Sequence, residues 1–316
     1  MCSFEECSWF LCQVRADVVN SLVNSRSNFF IIGAPKCGTT ALASWLSEHP
    51  QVFMSPVKEP HYFSTDLKNR SSRSEGEYRR LFSKVNEKHR AVGEASVWYL
   101  YSQEAVANIL ATYRDARIIV CLRNPVDMAY SLHGQHLMSA NEHIQDFKEA
   151  WEAQDERARG RKVPRLCEDE RLLLYGPACS LGAQMNRLFG CARKDQVLTL
   201  LLEDIKKDPK GIYRQVLAFL AVFDLGRDDF PVINAASQRR VPALHRAAKS
   251  INNLRRKLGV PRLGTGVMPL LDKINRKPSA RGGLDESMRK MLVDYFASDI
   301  EKLEGLVDRD LSHWKT

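Results

Sequence analysis

Residues 29–41 read Phe29-Phe30-Ile31-Ile32-Gly33-Ala34-Pro35-Lys36-Cys37-Gly38-Thr39-Thr40-Ala41. A short apolar run leads into a loop rich in polar and special residues. Leu42, Trp45 and Leu46 then recur at helical spacing. Strand, tight loop and helix together aim backbone N–H groups and a helix dipole at a bound anion. Lys36 adds a point charge, Gly38 permits close backbone approach, and the Thr39 and Thr40 hydroxyls supply further donors. The loop therefore reads as a site for a phosphate or a phosphate-like group.

It is not the common nucleoside-triphosphate loop. That motif places Lys directly after its second Gly. Here Gly33 and Gly38 have the right separation, but Thr39 stands where the Lys belongs, and Lys36 comes two residues before Gly38. Pro35-Lys36-Cys37-Gly38-Thr39-Thr40 instead resembles the 5′-phosphosulfate loop of sulfotransferases that use 3′-phosphoadenosine 5′-phosphosulfate (PAPS). The resemblance implies that residues 35–41, Ala41 included, contact the nucleotide.

Apolar runs at Phe29–Ile32, Val52–Met54, Ala91–Glu94, Arg117–Leu122 and Val197–Leu202 predict five strands. The longer ones lack alternation, as expected for a sheet covered on both faces. Helical spacing predicts Thr40–His49, Glu104–Tyr113, Val126–Leu137, Ala178–Leu188, Gly211–Ala221 and Asp285–Gly305. The alternation predicts an α/β, P-loop-like three-layer fold with a central, mainly parallel sheet of about five strands. In such sheets a site forms beyond the carboxyl ends of the strands. Lys36, Glu59, Glu94 and Arg123 all fall there. Residues 139–172 are charged, helical in bias and interrupted by Pro164. The expected organisation is an N-terminal extension, residues 1–27, and a single domain, residues 28–316.

The run Arg117–Leu122 ends at Arg123, with Pro125 at the next helix start and Ser131 about two turns along. An Arg fork and a hydroxyl suit a second phosphate. This pair resembles the sulfotransferase Arg and Ser that hold the 3′-phosphate. Heparan-type relatives often carry a further Arg where this chain has Met128. Lys277-Pro278-Ser279-Ala280-Arg281 resembles the loop that closes over that phosphate, which implies Lys277 and Arg281 as nucleotide contacts. The resemblance extends over about residues 28–316.

Lys58-Glu59-Pro60-His61-Tyr62-Phe63 resembles the block that carries the general base in heparan-type enzymes. Glu59 takes that role by resemblance. His61 is the other candidate, because an imidazole suits proton transfer near neutrality. A salt bridge of Glu59 to Lys58 is the structural alternative. Lys36 suits neutralisation of the charge that grows on the leaving phosphate. Gly93-Glu94-Ala95-Ser96 resembles a further block of these relatives, with Ala95 in place of a substrate-handling Lys. Glu94, His133 and His136 are candidate acceptor contacts.

The 316 residues are 44% hydrophobic and 27% charged, which is ordinary globular composition. No run of about 20 apolar residues occurs, and Glu5 and Glu6 precede the short run Trp9-Phe10-Leu11. A soluble cytoplasmic protein without a membrane partner is expected. Eight cysteines form no C-x-x-C pair, so reduced thiols and no metal are expected. The net charge of +9 is concentrated: Arg239 to Arg281 carries twelve Lys or Arg against Asp272 alone. That stretch has no aromatic residue for base stacking, so no nucleic-acid partner is expected.

The leading expectation is a PAPS-dependent sulfotransferase, with PAPS as co-substrate and 3′-phosphoadenosine 5′-phosphate (PAP) as product. The acceptor is expected to be a hydroxyl or amine of a small, natural-product-like molecule, or else a sugar. Two readings from other classes compete: a P-loop kinase and a basic polyanion-binding protein. The absent Gly-Lys-Ser/Thr disfavours the kinase.

Overall fold

The computed structural model describes residues 27–231, 237–239, 276–278 and 282–316. The N-terminal extension, most of the basic stretch and Arg281 lie outside them. Five strands form one sheet: β1 (Ser27–Gly33), β2 (Val52–Met54), β3 (Ala91–Ala95), β4 (Arg117–Leu122) and β5 (Val197–Leu201), in the order β2-β3-β1-β4-β5. Every neighbouring pair is parallel. The expected fold class is therefore realised, with a sheet that is parallel throughout.

The sheet is covered on both faces. Phe29 to Ile32 and Ile118 to Leu122 are completely buried, which explains runs without alternation. Gly93 allows β3 to lie close to β1, because a Cβ there would sit 2.3 Å from the Phe29 carbonyl oxygen. From β1 the chain moves outward to β2 and returns to β3, then crosses to β4 and β5. The reversal opens a crevice at the carboxyl ends of β1 and β4.

Helix α1 (Thr39–Ser47) buries Thr39, Leu42, Trp45 and Leu46. Helix α2 (Glu75–Arg80) starts on a capping box, with Ser74 and Glu77 satisfying each other's backbone N–H groups. Helices α3 (Ala105–Thr112) and α4 (Pro125–Met138) fall near their expected bounds. In α4, the Asn124 side chain accepts from the Val126 N–H at 3.0 Å, and Pro125 occupies the first turn.

The polar stretch after α4 contains two short helices, α5 (Phe147–Glu152) and α6 (Gln154–Ala158). It is pinned by a fully buried ion pair, Arg157 to Glu142 at 2.8 Å, with the Tyr175 hydroxyl donating to the same carboxylate. Helices α7 (Tyr175–Cys179), α8 (Leu181–Cys191), α9 (Leu202–Lys207) and α10 (Pro209–Phe219) follow. Leu202, read from sequence as the end of β5, is instead the first residue of α9.

Two short strands, β6 (Ser237–Arg239) and β7 (Arg276–Pro278), pair antiparallel, with Gln238 opposite Lys277. The backbone of Lys277 is thus part of a strand, where sequence suggested a loop. Helix α11 (Glu286–Val307) closes the fold, burying Met288, Leu292, Phe296, Ile300 and Leu303. Its Asp299 carboxylate accepts from the Gly182 and Ala183 N–H groups at the start of α8.

Candidate active site

The loop after β1 meets α1 at Gly38, whose φ of 89° and ψ of 0° are left-handed. No side chain caps this helix and no acidic residue lies in its first turn. The positive end of the helix dipole is therefore left for a ligand. Cys37 points away from it. Its thiol is fully buried, donates to the Pro35 carbonyl and lies 3.8 Å from the Met128 sulfur. Burial pushes this thiol up to about 12, so the side chain serves as a core plug beneath the loop. Met128 is equally buried, and an Arg at that position would bring an ion into the same apolar layer.

Three cations converge on the loop. The Lys36 Nζ donates to the Gln135 Oε1 at 3.2 Å. The Arg123 Nη1 donates to the backbone carbonyl of Lys36 at 3.3 Å. The Lys58 Nζ donates to the Thr40 Oγ1 at 2.6 Å. Burial, then the Arg123 and Lys58 charges, hold Lys36 below the ordinary lysine range. Repulsion of this kind is relieved when an anion enters. Ser131 is half-buried on α4, roughly 9 Å along the axis from Pro125. Gln135 follows one turn later on the same stripe.

Glu59 and His61 both have positive φ, 57° and 49°. The backbone of this turn is tied down from several sides. The Glu59 N–H donates to the Ala95 carbonyl. The His61 N–H donates to the Ser96 Oγ, and the Ser71 hydroxyl donates to the Glu59 carbonyl. The Glu59 carboxylate lies 3.3 Å from the Lys58 Nζ and 3.5 Å from the His61 Nε2. Burial pushes its pKa upward, but the His61 contact and the Lys58 charge outweigh it and bring it down to about 2. Both candidate bases and the neighbouring Lys58 thus sit in one chain of polar contacts.

Glu94 does not reach this cleft. It is completely buried at the end of β3 and accepts from the Ser96 hydroxyl at 2.6 Å, the Tyr99 hydroxyl at 2.7 Å and the Tyr78 hydroxyl at 3.3 Å. Burial raises its pKa, against the pull of those hydroxyls. Through Ser96 it fixes the turn that holds Glu59 and His61, so its part is support in place of the expected acceptor contact. His133 and His136 are likewise buried. Their Nε2 atoms pair with the carbonyls of Ile144 and Leu172, which anchors the polar stretch to α4. Burial removes both from the acceptor side, for they share the core-facing stripe of Met128 and Leu132.

The Tyr130 hydroxyl donates to the carbonyl of Gly282 at 2.8 Å. That contact ties the segment before α11 to α4. Sequence reading missed Gln135, and it treated Lys58 only as a salt-bridge partner. A signal for the first was available: Ser131 and Gln135 are four apart and face the loop together. Among the described residues, no group of three or more His, Cys, Asp or Glu is arranged to hold a metal. No described helix is long and apolar enough to cross a membrane.

The family model for the sulfotransferase domain matches residues 26–223. The chain is 30% identical to the crystallised sulfotransferase from Alicyclobacillus acidocaldarius, with a TM-score of 0.67 over 92% of this chain and 99% of that one. It is 22% identical to the membrane-associated sulfotransferase kil1 of Dictyostelium discoideum, over 90% of this chain and 65% of that protein. Human carbohydrate sulfotransferase 15 is 29% identical over 39% of this chain and 29% of its own length. The chain thus spans less than two thirds of the length of these curated relatives. With this family match across all five strands of the main sheet, the chain belongs to the sulfotransferase domain family.

Proposed function

We propose that residues 28–316 act as one catalytic domain that moves a sulfuryl group from PAPS to a hydroxyl or amine of a small, uncharged acceptor. The observation that carries this reading is the uncapped start of α1 ringed by Lys36, Lys58 and Arg123. The residues fit the nucleotide's two ends. The backbone at Gly38, Thr39 and Thr40 suits the 5′-phosphosulfate. Arg123 and Ser131, with Lys277 and Arg281 from the closing block, suit the 3′-phosphate.

Lys36 faces the loop, where a cation stabilises charge that develops on the leaving phosphate oxygen only in the transition state. Glu59 is held ionised by its neighbours and therefore accepts a proton without first losing one. His61, beside it, orients the carboxylate. Its buried Nδ1 has no hydrogen-bond partner among the described residues. The acceptor preference is supported at one position: Ala95, beside the Glu59 turn, is apolar where heparan-type relatives carry a Lys, so the cleft lacks a charge that a polyanionic sugar would use. A sugar acceptor is the second reading, favoured by the similarity to carbohydrate sulfotransferase 15.

Calorimetric titration with PAP tests the nucleotide. The expected result is binding near micromolar, together with turnover of labelled PAPS when an acceptor panel is offered. Absence of PAP binding sinks the reading. Lys36→Ala is expected to abolish transfer. Glu59→Ala is expected to lose turnover by about 100-fold or more while keeping PAP affinity. Undiminished turnover transfers the role of base to His61.

A further inference from the structure

Lys58 occupies an unusual position for a cation. Its Nζ lies against the hydroxyl of Thr40, in the first turn of α1. A positive charge there opposes the helix dipole. It also stands near Lys36, on which it acts repulsively. Among the described residues its ionic partner is Glu59, 3.3 Å away. The side chain is 47% exposed, so packing leaves it room to move. A half-exposed pair of this sort contributes little to stability. The position makes physical sense if an anion shares it.

We propose that Lys58 is a further positioning residue for sulfuryl transfer: it leaves Glu59 for the sulfonate oxygens when the loop is loaded, and so frees the base as it orients the group to be transferred. This rests on the PAPS reading above. In the step itself, the acceptor lone pair forms the new bond to sulfur. The bond from sulfur to the bridging phosphate oxygen breaks, and its electron pair stays on that oxygen. The acceptor proton passes to the Glu59 carboxylate. A carboxylate clamped between Lys58 and His61 has little affinity for that proton, and withdrawal of Lys58 raises it. The charged and titratable groups facing Glu59 are Lys58 and His61 on its own loop and Lys36 in the loop after β1.

The experiment compares wild type, Lys58→Met and Lys58→Arg. Affinities for PAP and for PAPS are measured by calorimetry without acceptor, so that the sulfonate alone distinguishes the ligands. In Lys58→Met the preference for PAPS over PAP is expected to fall by about 10- to 100-fold. Lys58→Arg is expected to retain the preference. In steady-state assays, the acid limb of kcat/KM for PAPS is expected to move to higher pH in Lys58→Met, because the free enzyme's Glu59 has lost its cation. Equal losses for both nucleotides, or an unaltered preference, overturn the proposal. If wild type binds no PAP, it is the PAPS reading that fails. If wild type binds and turns over but Lys58→Met keeps its preference, only the role of Lys58 is refuted.

Discussion

Two glutamates, Glu59 and Glu94, show how one chemical group is tuned in opposite directions. Glu59 is held down to about 2, burial being outweighed by His61 and Lys58. Its ionised form therefore favours the folded state above the ordinary carboxylate range, and that contribution is lost as pH falls from about 4.5 toward 2. Glu94 is raised, by burial first of all. Its contribution is complete below the ordinary carboxylate pKa and is lost as pH rises through the raised value. A glutamine at 94 imitates the protonated acid, since it offers one acceptor to Tyr99 and Tyr78 and one donor toward Ser96. Urea unfolding at a series of pH values reads both effects. Glu94→Gln is expected to gain on wild type as pH rises, whereas Glu59→Gln is expected to lose its disadvantage as pH falls. Parallel pH curves for wild type and both variants would show that neither carboxyl is perturbed by folding.

At the scale of elements, the proposed site depends on how closely β3 approaches β1, because β1 delivers the loop proposed to hold the phosphosulfate and β3 anchors the Glu59 turn. Gly93→Ala would drive a methyl to 2.3 Å from the Phe29 carbonyl oxygen, and no rotamer relieves a Cβ clash with backbone. The expected cost is about 1–3 kcal/mol in urea unfolding, with weaker PAP binding as the loop shifts. Wild-type stability would mean that the two strands separate freely. The first elements were legible from sequence because a fully buried parallel strand and an amphipathic helix have different periods, as Phe29–Ile32 and Leu42, Trp45 and Leu46 show. The strand-to-helix turn between them was legible because Lys36, Gly38 and Thr40 are local to it. His133 and His136 were misread although their period was informative: they continue the stripe of Met128 and Leu132, which is the core face of α4. Glu94 was misread for a different reason. Its partners Tyr78, Ser96 and Tyr99 lie on separate segments, and a strand-end carboxylate looks the same from sequence whether it meets solvent or three hydroxyls. The Glu142–Arg157 pair that organises the polar stretch was beyond reach on the same ground.

Across the whole molecule, the C-terminal segment braces the helices that follow β4 and β5. The Trp314 carbonyl accepts from the Asn124 side chain at the start of α4, and the Trp314 indole and His313 meet Glu203 on α9. Arg289 pairs with Asp127 on α4, and Arg309 pairs with Asp204 on α9. Trp314 itself is 1% exposed. Its removal therefore deletes a large core side chain and loosens the cap of α4, which carries Arg123 just before it. Trp314→Ala is expected to cost about 3–5 kcal/mol. A ligand that binds only the folded state opposes that loss by mass action, about 2.7 kcal/mol at 100 times its Kd, or roughly 5 °C in a chain of this size. PAP should thus raise the melting temperature of wild type by several degrees. In Trp314→Ala the same PAP concentration should give a smaller increment, because the brace also sets the position of Arg123 and so the Kd. Thermal scans with and without PAP read the difference. Equal increments in the two proteins would show that the C-terminal segment stabilises the fold without tuning the nucleotide site.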